Sequence, residues 1–301
     1  MPQLFDFSNI ESSEKVICQT WEEFRDCLAN KKFRYNDIDE AKKTTYLHAF
    51  DDLFLHGYRF LEKRVDDVLS PKTDIVRAAR IKKGDAVPNY ERFIPNSKYI
   101  TASNRFSPPG IEWLYLAISP NCATKAEYSL ADKCALKECR AVAGEKFALC
   151  CFKLMDGSKG KKVIDLTIAK EYDYNEINNA LEQSGQIIRE REAAKGFASG
   201  ILTGKINKPF TNDIKPAIEK WAVCTYARLL SEQIFLPITT EDRDIMYAPF
   251  QCLAQYFLAH GYAGIVYSST VFPEGKNVVL FDKQAAEPIN DIKSFVVPDS
   301  I

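Results

Sequence analysis

Two arginines end a short apolar stretch, residues 76–81, with two alanines between Arg77 and Arg80. Their guanidinium groups could form paired hydrogen bonds with phosphate oxygens. A solvated strand end explains the same residues, and taken alone the segment favours that simpler interpretation. Side chains alternate along a strand, so residues three apart face opposite sides. We therefore predict that only one of the two arginines points into a site.

A second candidate segment, residues 103–117, joins a stiff loop to an aromatic strand. Pro108 and Pro109 restrict the loop, Arg105 precedes them, and Tyr115 lies in the strand that follows. A stiff loop with aromatic and cationic side chains suits a flat, anionic ligand. An ordinary turn accounts for these residues equally well.

The third candidate is a strand that ends in three hydroxyl residues. Ser268, Ser269 and Thr270 follow the apolar residues 264–267, and a second apolar strand containing Asn277 comes after a short loop. Ligand sites in α/β sheets often lie at strand ends. Serines are also common there without any function, so this signal is weak when taken alone.

Apolar periodicity defines the elements that must position these side chains. Short apolar runs predict six strands, at residues 75–76, 113–118, 147–154, 163–166, 264–267 and 278–281. Helical spacing predicts helices near residues 212–233 and 250–258, and Gly261 is suited to end the second helix. We expect the polar, glycine-bearing stretch 172–212 to be an insertion or a mobile loop.

The first seventy residues predict a small helical unit. Thr20 and Glu23 fit a capping box at the start of a short helix, and a longer helix is expected from Asp39 to Leu69. One apolar stripe follows the longer helix: Leu47, Phe50, Phe54, Leu61, Val65 and Leu69. An exposed stripe of this length is rare, so we expect the unit to pack on the rest of the chain. A partner protein or a second copy of the chain is the alternative.

Composition and missing motifs exclude several classes of protein. Lys plus Arg number 40 and Asp plus Glu number 41, so no excess of positive charge indicates nucleic-acid binding. No apolar run reaches the ~18 residues of a membrane span, and the first ten residues lack the features of a signal peptide. The motifs of P-loop, dinucleotide-binding, zinc-protease and serine-hydrolase sites are absent. We expect a cytoplasmic protein.

The cysteines offer one further candidate, a metal site. Nine are present, an odd number without a C-x-x-C pair, and we expect reduced thiols that mostly fill the core. A zinc site at Cys122, Cys134 and Cys139 is the alternative, which their spacing does not favour. We therefore predict no metal.

Four segments in order resemble the RES domain family. They are residues 76–81, residues 104–117 with Arg-Phe-Ser-Pro-Pro-Gly and then Leu-Tyr-Leu-Ala, residues 134–141, and residues 247–281 with the hydroxyl strand. The resemblance covers about two thirds of the chain. It implies an NAD-degrading toxin of a bacterial toxin–antitoxin pair, with a fold related to ADP-ribosyltransferases.

The fold expected on these grounds is α+β, a mixed sheet with surrounding helices. We expect an N-terminal helical unit at residues 1–70, an NAD-binding catalytic domain at residues 71–285, and a C-terminal tail at residues 286–301. The N-terminal unit lies outside the resemblance.

The resemblance also implies roles for charged residues. Glu138 is expected to stabilise positive charge on the ribose while the nicotinamide bond breaks, and Glu127 competes with it for this role. Either Arg77 or Arg80 is expected to hold the pyrophosphate in a paired interaction. Arg105 would supply a second contact.

Hydroxyl and amide residues complete the expected site. Ser269 is expected to bind near the nicotinamide ribose, with Ser268 as the alternative for the same role. Tyr115 could pack against the ring, although a tyrosine of the core is equally consistent with its position. Asn277 is a further candidate for binding the dinucleotide.

The implied substrate is NAD, and no other cofactor is expected. The acceptor could be water, phosphate or a protein side chain, and the resemblance favours water or phosphate. An antitoxin and a second copy of the chain are the candidate protein partners, whereas nucleic acid and membranes are not expected. A protein ADP-ribosyltransferase and a binding module with a decayed site are the alternative functions.

Overall fold

The computed structural model describes residues 10–56, 59–121, 128–180, 182–183, 207–235 and 243–299. Its principal helices are α1 (Ile10–Ala29), α2 (Ile38–Ala41), α3 (Thr45–His56), α4 (Val65–Val68), α5 (Leu130–Glu138), α6 (Asn207–Phe235) and α7 (Arg243–Ala259). Its strands are β1 (Glu62–Arg64), β2 (Thr73–Ile81), β3 (Leu114–Pro120), β4 (Lys146–Leu154), β5 (Lys162–Asp165), β6 (Gly264–Ser268), β7 (Lys276–Leu280) and β8 (Ala286–Val296).

The eight strands within the described residues form one mixed sheet. Their order is β1-β5-β6-β7-β3-β2-β4-β8. Neighbouring strands are antiparallel except β5 and β6, which are parallel. Helices pack against this sheet, so the predicted α+β class is confirmed.

All six strands predicted from apolar runs are present, with slightly different ends. Two further strands, β1 and β8, were not predicted. β8 pairs along β4, from Ala286 opposite Leu154 to Val296 opposite Lys146. The sheet therefore continues into the segment that we expected to be a tail. A proline and several charged residues conceal this strand in the sequence, and both are typical of the edge of a sheet.

Alternate strand residues divide the core between the two faces of the sheet. Ile265 packs with α1, α3, α6 and α7, whereas its neighbour Val266 belongs to a second cluster on the opposite face. Strand register places Val76 and Ala117 on the same face as Ile265, and there they pack against α5. One face therefore carries two separate groups of helices.

The N-terminal helices pack on the remainder of the chain, as expected. Trp21 of α1 contacts Phe250 of α7 with ring centroids 5.6 Å apart, and Phe50 of α3 contacts Tyr226 of α6 at 5.8 Å. Each of these four side chains is at most 4% exposed. The apolar residues of the two parts thus form one common core.

The prediction of one long helix from Asp39 to Leu69 is wrong. This segment forms α2, α3, β1 and α4 in turn. The members of its apolar stripe are all buried, but Leu61 packs with the helical layer while Val65 and Leu69 pack on the opposite face of the sheet. The apolar residues of this segment are buried by several different elements, and their positions in the sequence happen to match the spacing of one helical face.

The prediction of a capping box at Thr20 is also wrong. Helix α1 already begins at Ile10, so Thr20 lies in its interior. The buried Thr20 hydroxyl donates a hydrogen bond to the carbonyl of Ile17 at 2.8 Å. A hydroxyl residue three positions before a glutamate is therefore not sufficient evidence for a helix start.

Two predictions concern the region around α6 and α7. Helix α6 covers the expected residues 212–233 and begins earlier, at Asn207. It therefore includes the end of the stretch 172–212, of which residues 181 and 184–206 lie outside the described residues. Gly261 follows α7 with a φ angle of 80°, which is the left-handed conformation expected at a helix end. None of the helices in the described ranges is long and apolar enough to cross a membrane.

Candidate functional site

A cavity of about 620 Å³ opens where strands β2 and β3 separate. The pairing of β2 with β3 covers only residues 73–76, whereas residues 76–81 continue along β4. On its other edge, β3 pairs with β7 from Leu114 to Ile118, so the first residues of β3 have no partner on the β2 side. Glu138 of α5 and Tyr247 of α7 both line the cavity. The cavity therefore lies between the two groups of helices on one face of the sheet.

Arginine dominates the charge of this cavity. Among the described residues, the lining contains one acidic residue, Glu138, together with Arg77, Arg80, Arg92, Arg105 and Arg140. Such an excess of positive charge raises the local concentration of anions. Three of these arginines, Arg77, Arg80 and Arg105, were predicted from the sequence. Arg92 and Arg140 were not, because each lies in a polar segment where its residue type alone carries no signal.

Helix α5 carries the acidic residue, and its first turn is fixed by two contacts. Ser129 and Asp132 form a capping box, in which each side chain accepts a hydrogen bond from the backbone amide of the other. The amide of Ala131 donates to the hydroxyl of Ser119 on β3 at 3.1 Å. These bonds fix the start of the helix relative to the central sheet.

The last turn of α5 ends in a Schellman motif just after Glu138. Arg140 has a φ angle of 51°, and its amide donates to the carbonyl of Lys137 at 2.9 Å. The amide of Ala141 donates to the carbonyl of Leu136 at 3.0 Å. This pattern satisfies the terminal carbonyls and fixes the backbone that carries Glu138.

The Glu138 carboxylate is exposed to the cavity and held by one amide. The Nδ2 atom of Asn277 donates to its Oε1 atom at 2.6 Å. A carboxylate in the last turn of a helix lies at the negative end of the helix dipole, where an anion is destabilised. Residues that are unfavourable for local structure, such as this carboxylate, are expected mainly at functional sites.

Arg77 lies at the point where β2 loses its partner strand. Its Nη1 atom donates to the carbonyl of Phe93 at 2.8 Å, which uses one of its five N–H donors. Burial lowers the pKa of Arg77 to about 10. The side chain therefore remains cationic at neutral pH and can bind an anion.

Arg80 secures the end of α5. Its Nη2 atom donates to the carbonyls of Cys139 and Arg140 at 3.3 and 3.1 Å, and its Nη1 atom pairs with Glu145 at 3.1 Å. Arg77 and Arg80 leave β2 on opposite faces, as strand alternation requires. Both nevertheless line the cavity, because β2 has no β3 partner at these positions.

Arg105 contains a buried nitrogen without a partner. Its guanidinium group lies 5.6 Å from the centroid of the Tyr247 ring, and its Nη1 atom is buried with no hydrogen bond to any described residue. The loop is tied to α7 by a hydrogen bond of 3.1 Å from Gln251 to the carbonyl of Asn104. A buried, unpaired charged donor is costly, and an anionic ligand would satisfy it.

Two tyrosines form an aromatic part of the cavity. The hydroxyl groups of Tyr115 and Ser107 are hydrogen-bonded at 2.9 Å, and Tyr267 packs edge-on against Phe106 with centroids 5.0 Å apart. Burial raises the pKa values of both Tyr115 and Tyr267. Both phenols are therefore neutral and can pack against a ring or donate a hydrogen bond.

The two candidate serines lie behind the cavity. Ser268 and Ser269 are 6% and 0% exposed, and neither forms part of the lining. The Ser269 amide donates to the carbonyl of Gly275 at 2.8 Å, and its Oγ atom accepts from the amides of Val271 and Phe272 at 3.3 and 3.1 Å. Ser269 therefore organises the turn between β6 and β7.

The cavity brings together six of the residues predicted from sequence: Arg77, Arg80, Arg105, Tyr115, Glu138 and Asn277. The competing residue Glu127 lies outside the described residues. Thr270 and Tyr247 line the cavity without having been assigned a role. Both lie in the segment 247–281 that resembles the family, and Thr270 also belongs to the hydroxyl run, so a signal for them was present.

The described residues contain no cluster of side chains suited to bind a metal ion. No group of three or more His, Cys, Asp or Glu side chains there could hold a metal ion. The Cys134 thiol bonds to Oδ1 of Asn277 at 3.4 Å, and the Cys139 thiol bonds to the carbonyl of Ala78 at 3.7 Å. Cys122 lies outside the described residues.

The fold and the cavity define an α+β protein with a cationic site around one carboxylate. The family model described as RES domain matches residues 224–297, about a quarter of the chain. This match confirms the predicted resemblance to the RES domain family. The matched segment includes Tyr247, Tyr267 and Asn277, whereas Glu138 and the five arginines of the cavity precede it. The comparisons with curated proteins and with solved structures gave no match.

Proposed function

We propose that this protein cleaves NAD at the bond between nicotinamide and ribose, in the cavity between α5 and α7. The observation that carries the proposal is the Glu138 carboxylate, held by Asn277 and surrounded by five arginines of the described lining. The RES domain match and the resemblance of the preceding segments support it. We further propose a fold related to ADP-ribosyltransferases and a role as an NAD-depleting toxin.

The chemistry requires two kinds of group. The arginines would hold the pyrophosphate and thereby place the ribose next to the carboxylate. As the C1′–N bond breaks, its electron pair moves to the nicotinamide nitrogen and positive charge develops on the ribose. Glu138 would stabilise this charge, which is greater in the transition state than in the bound substrate.

The acceptor forms the new bond to C1′ as nicotinamide leaves. Attack by water at C1′ forms ADP-ribose and releases one proton, with neutral nicotinamide as the other product. Attack by inorganic phosphate forms an ADP-ribose phosphate ester at the same carbon. We propose water or phosphate as the acceptor, because the cavity contains arginines that could also bind a small anion.

The test is incubation of the purified full chain with NAD, with and without phosphate. Free nicotinamide and the ADP-ribose product are separated and quantified. The change Glu138→Gln keeps the size of the side chain and should lower the rate roughly a hundredfold or more, because the stabilising charge is lost. The control is Glu23→Gln on the exposed side of α1, which should retain the full rate.

Three outcomes would contradict the proposal in different ways. Absence of nicotinamide above background at micromolar protein, with the fold intact, would exclude NAD cleavage. Binding of NAD without turnover would favour a binding module with a decayed site. ADP-ribose attached to a protein, in place of the free product, would favour a protein ADP-ribosyltransferase.

A further inference from the structure

A line of buried hydrogen bonds lies behind the Glu138 carboxylate. Cys134 is on α5 one turn before Glu138, and its thiol donates to Oδ1 of Asn277 at 3.4 Å. Asn277 in turn donates through Nδ2 to Glu138 at 2.6 Å. Cys134 and Asn277 are 0% and 4% exposed, whereas Glu138 is exposed to the cavity. The line thus connects the protein interior to the carboxylate.

These contacts allow only one orientation of the Asn277 amide. If the amide were reversed, its oxygen would face the Glu138 carboxylate, and two acceptors without a proton between them repel each other. The Cys134 thiol, as a donor, also requires the oxygen on its side. Both neighbours therefore direct the two N–H donors of Asn277 toward Glu138.

The backbone of Asn277 is held on both sides. Within β7 it lies opposite Ala117 of β3 and opposite Tyr267 of β6. A side chain on a central strand of a sheet is positioned more accurately than one on a loop. Asn277 therefore provides a rigid point from which the carboxylate can be oriented.

Ser269 contacts this line from the interior. Its Oγ atom accepts two backbone amides, so its own proton remains available to the nearby Cys134 sulfur. Burial raises the pKa of Cys134 to about 12, and the neighbouring Ser269 hydroxyl partly offsets this effect. The thiol therefore keeps its proton at neutral pH and remains a donor to Asn277.

Close packing holds the turn between β6 and β7 against α5. A Cβ atom added at Gly275 would lie 2.5 Å from the Cys134 sulfur and 3.0 Å from its Cβ atom. Only glycine leaves room for the thiol at this position. The turn organised by Ser269 and the helix that carries Glu138 are therefore in direct contact.

We propose that Cys134 and Asn277 are positioning residues that fix the orientation of the Glu138 carboxylate, and that Ser269 acts on it through them without touching the substrate. The catalytic meaning of this proposal rests on the proposed cleavage of NAD. The hydrogen-bonded line itself can be tested without turnover.

The first test is kinetic. Asn277→Leu preserves the size of the side chain and should lower kcat roughly tenfold to a hundredfold, with KM for NAD changed by less than about threefold. Cys134→Ala should lower kcat and Cys134→Ser, which restores a donor, should recover most of it. Cys252→Ala is the matched control, because Cys252 is equally buried and lies on α7 outside the line. An increase in KM with unchanged kcat in Asn277→Leu would overturn the assignment.

A double variant separates an indirect role of Ser269 from a direct one. If Ser269 acts through Asn277, adding Ser269→Ala to Asn277→Leu should lower kcat no further than Asn277→Leu alone. A direct contact with the substrate would make the two losses multiply. Multiplying losses would therefore refute the indirect role.

The second test does not depend on NAD. In protein labelled with ¹⁵N at asparagine, the side-chain amide resonance of Asn277 should shift in Glu138→Gln, Cys134→Ala and Ser269→Ala, and stay in place in Cys252→Ala. An unmoved resonance in the first three variants would overturn the hydrogen-bonded line. Shifted resonances in a protein that releases no nicotinamide would support the line and reject the proposed reaction.

Discussion

At the scale of single residues, the cavity keeps charged groups in places that stability alone would not favour. Glu138 lies at the negative end of a helix, and Arg105 buries a nitrogen that has no partner in the part of the chain that the structure describes. Burial also lowers the pKa of Arg77 to about 10, so charge on this side chain is disfavoured. Each of these costs would be reduced by a bound dinucleotide, whose phosphates are anionic and whose ribose becomes cationic during the reaction.

Arg105 and Arg80 should respond differently to replacement. Arg105→Met removes an unpaired charge and should raise KM for NAD roughly tenfold to a hundredfold, since hydrogen bonds to charged groups contribute about 1.5–3 kcal/mol. Its free energy of unfolding should not fall, because removal of the costly buried donor offsets the loss of the cation–π contact. Steady-state kinetics and urea unfolding measure the two quantities.

Arg80→Met is the matched comparison for Arg105→Met. It removes the bonds to the end of α5 and the pair with Glu145, so it should lower the free energy of unfolding by about 1 kcal/mol. If both variants lost stability equally, the unpaired state of Arg105 would be disproved.

The sequence was sufficient to select several residues of the site, but not to predict which contacts they make. Arg105, Glu138 and Asn277 could be selected because each lies in a segment that resembles the family. The burial of Ser269 could not be predicted, since a serine at a strand end is compatible with either exposure. Nor could sequence show that Arg92 and Arg140 join the cavity, because the fold alone brings them there.

At the scale of elements, α5 and the turn between β6 and β7 form the rigid frame of the site. The helix is fixed at its start by the capping box and at its end by the Schellman motif and Arg80. The turn is fixed by Ser269 and by its contact with Cys134. The carboxylate and the amide that orients it therefore lie on elements whose ends cannot move independently.

Gly275→Ala should disturb this frame without straining the backbone. Its added Cβ atom would meet the Cys134 sulfur at 2.5 Å, so the turn and α5 must separate. We expect a loss of about 1–3 kcal/mol in the free energy of unfolding, together with a decrease in kcat as Asn277 moves from Glu138. The control is Gly157→Ala, where no atom lies within 4 Å of the added carbon. Wild-type kcat in Gly275→Ala would show that this packing does not position the carboxylate.

Elements were predictable wherever one physical signal dominated. Buried strands such as β3, β6 and β7 appear as short apolar runs because both faces of the sheet are covered. Strand β8 was missed because its edge position tolerates a proline and charges. The segment 39–69 was wrongly predicted as one helix because several short elements bury their apolar residues at helix-like intervals.

At the scale of the whole molecule, the N-terminal helices share one core with α6 and α7, the second of which borders the cavity. Trp21 lies between Tyr46, at 5.1 Å, and Phe250, at 5.6 Å. Strand β1 adds a second connection, since it pairs with β5 at the edge of the sheet. Phe250 belongs to the helix that also carries Tyr247, so the first helix is only one layer away from the site.

A shared core predicts one cooperative unfolding transition in which the N-terminal helices take part. Trp21→Ala should shift that transition as a whole and lower the free energy of unfolding by about 3–5 kcal/mol, the usual cost of removing a buried Trp or Phe side chain. Trp21→Phe, which keeps most of the aromatic contacts, should cost markedly less. The measurement is urea unfolding of the full chain followed in parallel by far-ultraviolet circular dichroism and by tryptophan fluorescence. Trp113 lines the cavity and Trp221 lies in the common core. Tryptophan fluorescence therefore reports on the unfolding of both regions. If Trp21→Ala instead produced an early partial transition, with the remaining structure as stable as in the wild type, the N-terminal helices would be an independent unit.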